Sequence, residues 1–455
     1  MESWKQLFSN LFPAAAAPRT AKAGRNIIGL LILRILGIGT NLLLVPMTLT
    51  YLGQTGYGVW LTLGSIITWI GFLDIGLGNG LRNKLAEAIA SSEIDRAREY
   101  VSTTYVIVGG IAAAFALLFA ALNPFLPWSA ILNSPSSMEP ELRALALAVV
   151  LFFSLRLLFQ LISSILVAHQ RPAISSALDV LVGVLSLIAV AILRSTTSGS
   201  LLVLGVSVSA ISALVPLAAN LYFFSGKYRR YRPAFRAVSF VHSRGLMGLG
   251  ARFFVLQIVG LILFASPNLL ITQFFGPAEV TPYNSAMKYF GVASMLFLIV
   301  LAPFWSAYTD AYVRGDLGWI RHTLTRLRAL WVLCSFGVGT MLILAGWVYP
   351  RWIGSDVQIP FVLSASVALY VMIFTWASID VNLLNGVGKI QLQLWNGICI
   401  ALAVLPLSWV LSVRLGWGSP GVVLAGCAVL LPGCVLWPLQ TKRLLSGTAR
   451  GIWAR

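Results

Sequence analysis

Apolar stretches of about 20 residues, the length that a helix needs to cross a membrane, recur along the whole chain and limit its fold more than any other feature. Unpaired backbone polar groups are costly in lipid, so membrane-spanning segments are either helices or strands of a closed barrel. These stretches are too long for barrel strands and lack alternation of apolar and polar residues. Only 10% of the residues are charged, whereas soluble domains carry about 25%. The sequence therefore predicts an all-α polytopic membrane protein.

The apolar stretches predict about twelve spanning helices, and their ends are set only by hydropathy. In the first half they are placed near 26–50, 57–79, 100–122, 144–168, 173–193 and 201–224. In the second half they are placed near 246–270, 283–305, 329–349, 359–385, 390–413 and 420–441.

The positions of the 32 Lys and Arg residues predict how the chain is oriented in the membrane. If the N-terminus is cytoplasmic, 24 of them fall on the inner side, four lie inside helices and four fall on the outer side: Arg143, Arg194, Arg351 and Arg414. Such a bias follows the positive-inside rule and predicts that both termini are cytoplasmic. It also accounts for the net charge of +18, so we predict no nucleic-acid partner.

The two halves repeat the same pattern. Pro46 matches Pro267, Tyr51-Leu52-Gly53 matches Phe274-Phe275-Gly276, and the loop lengths agree. Six helices per half make a parallel repeat, related by an axis along the membrane normal, and such halves can rock around a central cavity. We predict a cytoplasmic N-terminus with an amphipathic and a flexible part (1–25), an N-lobe (26–224), a basic cytoplasmic linker (225–245), a C-lobe (246–441) and a cytoplasmic tail (442–455).

Four cations lie inside predicted helices: Arg34, Arg156, Arg252 and Lys288. A charge at the centre of a membrane helix costs about 2.5–3.5 kcal/mol on insertion scales, and such residues usually line a cavity or form a pair. We predict that these four bind an anionic substrate in the cavity. Two alternatives stay open: Arg156 pairs with Asp179 on the next helix, and the other cations extend to the membrane surface.

Asp179 and Asp380 lie several residues inside predicted helices and are candidates for ion coupling, although each could instead pair with an arginine. Asn41, Pro46 and Pro267 are predicted cavity or hinge positions. The four cysteines fall inside apolar segments without the spacing of metal ligands, so we predict no disulfide, metal site or cofactor.

Several runs resemble a known family. They are Tyr51-Leu52-Gly53, Tyr57-Gly58-Val59-Trp60 and Asp74-Ile75-Gly76-Leu77-Gly78, together with Pro303-Phe304-Trp305 and Gly315-Asp316 in the second half. They are similar to runs in Wzx-type polysaccharide flippases of the multidrug/oligosaccharidyl-lipid/polysaccharide exporter superfamily. The resemblance covers nearly the whole chain.

The resemblance implies two six-helix lobes that form a V around a cationic cavity in a bacterial inner membrane. It implies transport of an undecaprenyl-diphosphate-linked oligosaccharide from the cytoplasmic to the periplasmic leaflet, for O-antigen or exopolysaccharide assembly. It also implies coupling to a proton or cation gradient, and a polysaccharide polymerase and export machinery as partners.

Two alternatives remain. One is a cation-coupled antiporter for drugs or other small molecules, but such relatives typically carry an acid in the first helix, where this chain has Arg34 and Asn41. The other is a membrane glycosyltransferase or polymerase, which needs acids or a nucleophile on a sizeable loop. The predicted loops are short, so a transporter is favoured over an enzyme.

Overall fold

The computed structural model describes residues 20–70, 77–169, 171–239, 265–302 and 304–454. All regular secondary structure in these ranges is helical, and ten of the helical segments are long and apolar enough to cross a membrane. In the first half the helices are α1 (Thr20–Ile70), α2 (Leu77–Ala90), α3 (Ile94–Leu122), α4 (Trp128–Ile131), α5 (Glu139–Phe159), α6 (Leu161–Ala168), α7 (Pro172–Thr196) and α8 (Leu201–Ser225). In the second half they are α9 (265–275), α10 (Val280–Leu301), α11 (Phe304–Val313), α12 (Leu317–Ile353), α13 (Phe361–Val387), α14 (Gln391–Trp409, continued by a π-helical turn to Arg414) and α15 (Ser419–Leu445).

The helices of each half pack mainly against one another. In the first half α1 packs against α7, and α5 against α8 and α3. In the second half α13 packs against α10 and α15, and α14 packs against α15. The predicted fold class, two helical lobes in the membrane, is therefore confirmed. Most of the predicted helix 246–270 lies outside the described residues, as does most of the predicted N-terminal segment.

The first two predicted helices form one long helix, α1, with a sharp kink at Gly53. This glycine has φ 71° and ψ 173°, a conformation that a residue with a Cβ atom rarely adopts. Gly276, its match in the repeat, has φ 92° and ψ 162° after α9. Both lobes thus turn through the same backbone conformation, and we call the end of the bundle that holds Gly53 and Gly276 the kink end.

Two helices differ from the hydropathy-based prediction. α12 has 37 residues and begins well before the predicted 329–349, because polar turns that hydropathy rejects continue the helix. Its start is capped by Asp316, whose Oδ1 accepts a hydrogen bond from the backbone N–H of Trp319 at 3.0 Å. The predicted helix 144–168 is divided at Gln160 into α5 and α6.

Candidate functional site

A cavity of about 760 Å³ lies mainly within the first lobe. It is lined by α1, α5, α7 and α8, and α10 of the second lobe contributes Met295, Leu298 and Ile299. Its polar lining consists of Arg34, Thr40, Asn41, Arg156, Ser176, Asp179, Ser186, Ser209 and Ser212. A large pocket with a few convergent polar groups is the usual form of a small-molecule site.

The structure brings Arg34, Arg156 and Asp179, three of the predicted site residues, to this one cavity. Among the residues that the structure describes, no carboxylate lies within ion-pair distance of either arginine. Asp179 is exposed in the cavity and interacts electrostatically with Arg156 without forming an ion pair with it. Both guanidinium groups are therefore available to a bound anion.

Asn41 also lines the cavity, and its Nδ2 donates a hydrogen bond to the carbonyl oxygen of Gly37 at 2.8 Å. Pro46 lies further along α1 and has no N–H to donate to the carbonyl of Leu42, one helical turn earlier. That carbonyl oxygen instead accepts a hydrogen bond from Nε1 of Trp352, at the end of α12, at 3.0 Å. The proline therefore exposes a backbone acceptor to which the second lobe binds.

Lys288 lies outside the main cavity. Its Nζ donates a hydrogen bond to the Tyr57 hydroxyl at 3.0 Å and lies 5.7 Å from the centre of that ring. It lines a smaller pocket of about 180 Å³ that shares Asn41 with the main cavity. Lys288 thus connects the two lobes beside the cavity. The fourth predicted cation, Arg252, lies outside the described residues.

Asp380 lies in the interior of the second lobe, away from the main cavity. Only 1% of its surface is exposed, and Nη2 of Arg328 lies 3.2 and 3.3 Å from its two carboxylate oxygens. The guanidinium group also lies over the Trp376 ring, 5.7 Å from its centre. The sequence prediction placed Arg328 in a cytoplasmic loop and missed this pair, because hydropathy begins the predicted helix only at residue 329. Pro267 lines a separate pocket of about 20 Å³ in the same lobe.

The lobes contact each other at the kink end through a polar face of α1. Nε2 of Gln54 donates to the Ala278 carbonyl at 3.1 Å, and the Thr281 hydroxyl donates to the Gln54 carbonyl at 2.8 Å. The hydroxyls of Thr62 and Thr272 lie 2.6 Å apart. We call these contacts, with that between Asn268 and Ser65, the kink-end interface.

Gly58 lies in the middle of this interface. A Cβ atom on Gly58 would lie 1.7 Å from the Pro277 carbonyl oxygen, so only glycine permits the observed approach of the lobes. Sequence reasoning missed the interface, although Gln54, Gly58, Thr62 and Ser65 recur at the spacing of one helical face. Small and polar residues at that spacing are typical of packed faces between membrane helices.

Comparison with known proteins matches residues 23–305 to the family described as polysaccharide biosynthesis protein. A Salmonella typhi protein, provisionally named an O-antigen transporter, is 23% identical over 376 residues, which are 80% of this chain and 82% of the relative. The fold is similar to an inward-facing multidrug resistance MATE family transporter of the MOP superfamily, with a TM-score of 0.74, 13% identity and coverage of 93% of this chain and 100% of that one. It is also similar to the lipid II flippase MurJ in an inward closed conformation, with a TM-score of 0.69, 14% identity and coverage of 91% and 87% of the two chains.

Proposed function

Because this chain belongs to the family of polysaccharide biosynthesis proteins, we propose that it is a flippase for a lipid-linked oligosaccharide. The proposed cargo is an undecaprenyl-diphosphate-linked glycan, which moves from the cytoplasmic to the periplasmic leaflet of a bacterial inner membrane. The product would supply O-antigen or exopolysaccharide assembly, with a polymerase and export machinery acting afterwards. The relative and the solved neighbours are named as transporters or flippases, and we assign no chemical step to the chain.

The observation that carries this proposal is the pair of arginines, Arg34 and Arg156, in the cavity without a described ion-pair partner. A diphosphate that leaves the aqueous headgroup layer needs cations to replace its hydration. The planar guanidinium group binds phosphate oxygens through two parallel hydrogen bonds. Two arginines against the single carboxylate of Asp179 favour an anionic cargo over the organic cation of a drug exporter.

The lipid tail of such a cargo would pass where the lobes meet. Met295, Leu298 and Ile299 of α10 form the side of the cavity contributed by the second lobe, and half of the surface of Met295 is exposed. Apolar side chains at this seam allow the polyprenyl chain to remain in lipid while the headgroup enters the cavity. We propose that the cavity opens sideways along this seam.

Alternating access follows from movement of the predicted N-lobe (26–224) against the C-lobe (246–441), joined by the linker (225–245). In the observed conformation the kink-end interface holds the lobes together, and the charge distribution predicts that this end faces the periplasm. The cavity would therefore load from the cytoplasmic side and release its cargo after the interface separates. Of the two predicted coupling acids, we favour Asp179, because Asp380 is held by Arg328.

A reconstituted flipping assay tests the proposal. Arg34→Ala and Arg156→Ala should each lower the rate of flipping of a fluorescent undecaprenyl-diphosphate-linked oligosaccharide at least tenfold, since a hydrogen bond to a charged group contributes about 1.5–3 kcal/mol. Arg194→Ala, an exposed arginine at the end of α7, is the matched control and should retain normal flipping.

Two results would contradict the proposal. Unchanged flipping in both cavity variants would remove the arginines from the site. In a flippase-deficient strain, restored drug resistance without restored surface glycan would support the antiporter instead.

A further inference from the structure

The two ends of the cavity differ in chemistry, and their levels can be estimated from the helices. The kink of α1 and the starts of α5 and α8 lie at one level: the Tyr51 hydroxyl is 2.6 Å from the hydroxyl of Thr197, and Oε1 of Glu141 accepts a hydrogen bond from the backbone N–H of Leu202 at 3.0 Å. At a rise of 1.5 Å per residue, Trp60 lies about 10 Å from this level, and Arg156 about 22 Å. Trp60 therefore lies deeper towards the kink end than Arg156.

Trp60 lines the deep end of the cavity with a hydrogen-bond donor that no described residue uses. Four other tryptophans of the structure donate their indole N–H to protein acceptors: Trp128, Trp331, Trp352 and Trp376. A half-buried tryptophan offers a flat apolar surface and one polar edge. This combination fits a sugar ring, which has apolar C–H faces and a rim of hydroxyl groups.

Hydroxyl side chains of α8 lie at the same level as Trp60. Ser209 is eight residues from the start of α8, about 12 Å from the kink end. The Ser212 hydroxyl donates to the carbonyl of Ser209 at 2.7 Å and keeps lone pairs that can accept from a ligand. The deep end thus offers a stacking surface beside hydrogen-bonding groups, and none of the described residues that line it is charged.

Gly205 fixes the position of the indole. A Cβ atom on Gly205 would lie 3.1 Å from Cζ3 of Trp60 and 2.2 Å from Cδ1 of Leu145. The benzene edge of Trp60 therefore contacts the backbone of α8, and a Cβ atom at Gly205 would displace Leu145 and push the indole by a few tenths of an ångström.

From these contacts, and resting on the proposed function, we infer that Trp60 is the platform on which a sugar of the cargo stacks. Arg34 and Arg156 hold the diphosphate nearer the opposite end, so the glycan extends from them towards the kink end. Gly205 is a positioning residue, because it acts on the sugar only through the placement of Trp60.

Binding of two probes to the purified protein tests this inference: undecaprenyl diphosphate, and the same lipid carrying one N-acetylglucosamine on the diphosphate. Trp60→Leu should weaken binding of the sugar-bearing lipid about tenfold, the effect expected for loss of an aromatic contact, and leave binding of the bare lipid unchanged. Trp60→Phe should retain most of the affinity. Gly205→Ala should show a smaller selective loss in the same direction as Trp60→Leu, whereas Gly110→Ala, which meets nothing within 4 Å, should show none.

The outcomes separate the two proposals. Failure of the wild-type protein to bind either lipid would overturn the proposed function. If the wild type binds both lipids and neither Trp60→Leu nor Gly205→Ala changes the ratio of the two affinities, the stacking role is wrong while the diphosphate site stands. If Trp60→Leu lowers the yield of folded protein, Gly205→Ala decides the matter by the same ratio.

Discussion

Gly58→Ala is expected to open the kink-end interface. The new Cβ atom would lie 1.7 Å from the Pro277 carbonyl oxygen, about 1.5 Å inside normal contact distance, so the backbones of the two lobes must move apart. Alanine forms helices better than glycine by about 1 kcal/mol, so the substitution does not weaken α1 itself. The strain falls instead on the contact between the lobes.

The size of the effect follows from the hydrogen bonds that this movement breaks. Three bonds cross the interface close to Gly58: Gln54 to Ala278, Thr281 to Gln54, and Thr62 to Thr272. At about 1 kcal/mol each, their loss destabilises the closed conformation by about 3 kcal/mol, which is about a hundredfold change in the ratio of closed to open protein.

The distance between spin labels at positions 125 and 361 measures this ratio. Phe125 and Phe361 are 82% and 69% exposed, lie in different lobes near the kink end and take no part in the interface, and the four native cysteines are replaced beforehand. Gly58→Ala should add a population with a longer distance. Gly39→Ala is the control on the same helix, because a Cβ atom on Gly39 would meet nothing within 4 Å. Its distance distribution should be the same as that of the wild type. An unchanged distribution in Gly58→Ala would refute the assignment of Gly58 to a closed gate.

Two further predictions concern groups outside the cavity. Arg328→Met leaves the buried carboxylate of Asp380 without its arginine partner and should destabilise the protein by about 3–5 kcal/mol in thermal unfolding. Adding Asp380→Asn to the same chain should restore much of the lost stability. A double variant less stable than Arg328→Met alone would contradict the pairing. The His169 ring is buried against Tyr228, with the ring centroids 4.3 Å apart, and this burial is the main reason why the pKa of His169 lies below its usual 6.5. The positive charges of nearby basic residues such as Lys227 lower that pKa further. Near and below pH 6.5 the folded protein then binds fewer protons than the unfolded chain, so the contribution of His169 to stability is fully present above about pH 6.5 and is lost as the pH falls below that value. His169→Gln should remove this part of the fall in melting temperature at low pH. A pH profile identical to that of the wild type would refute the role of His169.

Much of the fold could be predicted from the sequence, because membrane helices are recognised by their length and hydropathy. The predicted ends of α3, α7 and α8 agree with the structure to within about six residues. The repeat also carried structural information, since Gly53 and Gly276 have the same unusual backbone conformation. Hydropathy failed where polar turns continue a helix, as at the start of α12.

The site was only partly predictable. A charged residue inside an apolar segment is a conspicuous signal, and Arg34, Arg156 and Asp179 do meet in one cavity. Which partner a side chain chooses depends on the packing of distant helices, so the contact of Lys288 with Tyr57 was not predictable. Trp60 was missed as a site residue because an aromatic residue in an apolar helix has no distinctive local pattern.

The hydrogen bond from Trp352 to the Leu42 carbonyl has a consequence for how the chain tolerates mutation. Its acceptor is a main-chain atom, so the bond should persist when Leu42 is replaced by almost any other residue. The requirement falls on Pro46, which keeps that oxygen unoccupied, and on Trp352, which supplies the donor. Substitutions at Pro46 and Trp352 should therefore weaken the contact between the lobes, whereas position 42 should tolerate many different side chains.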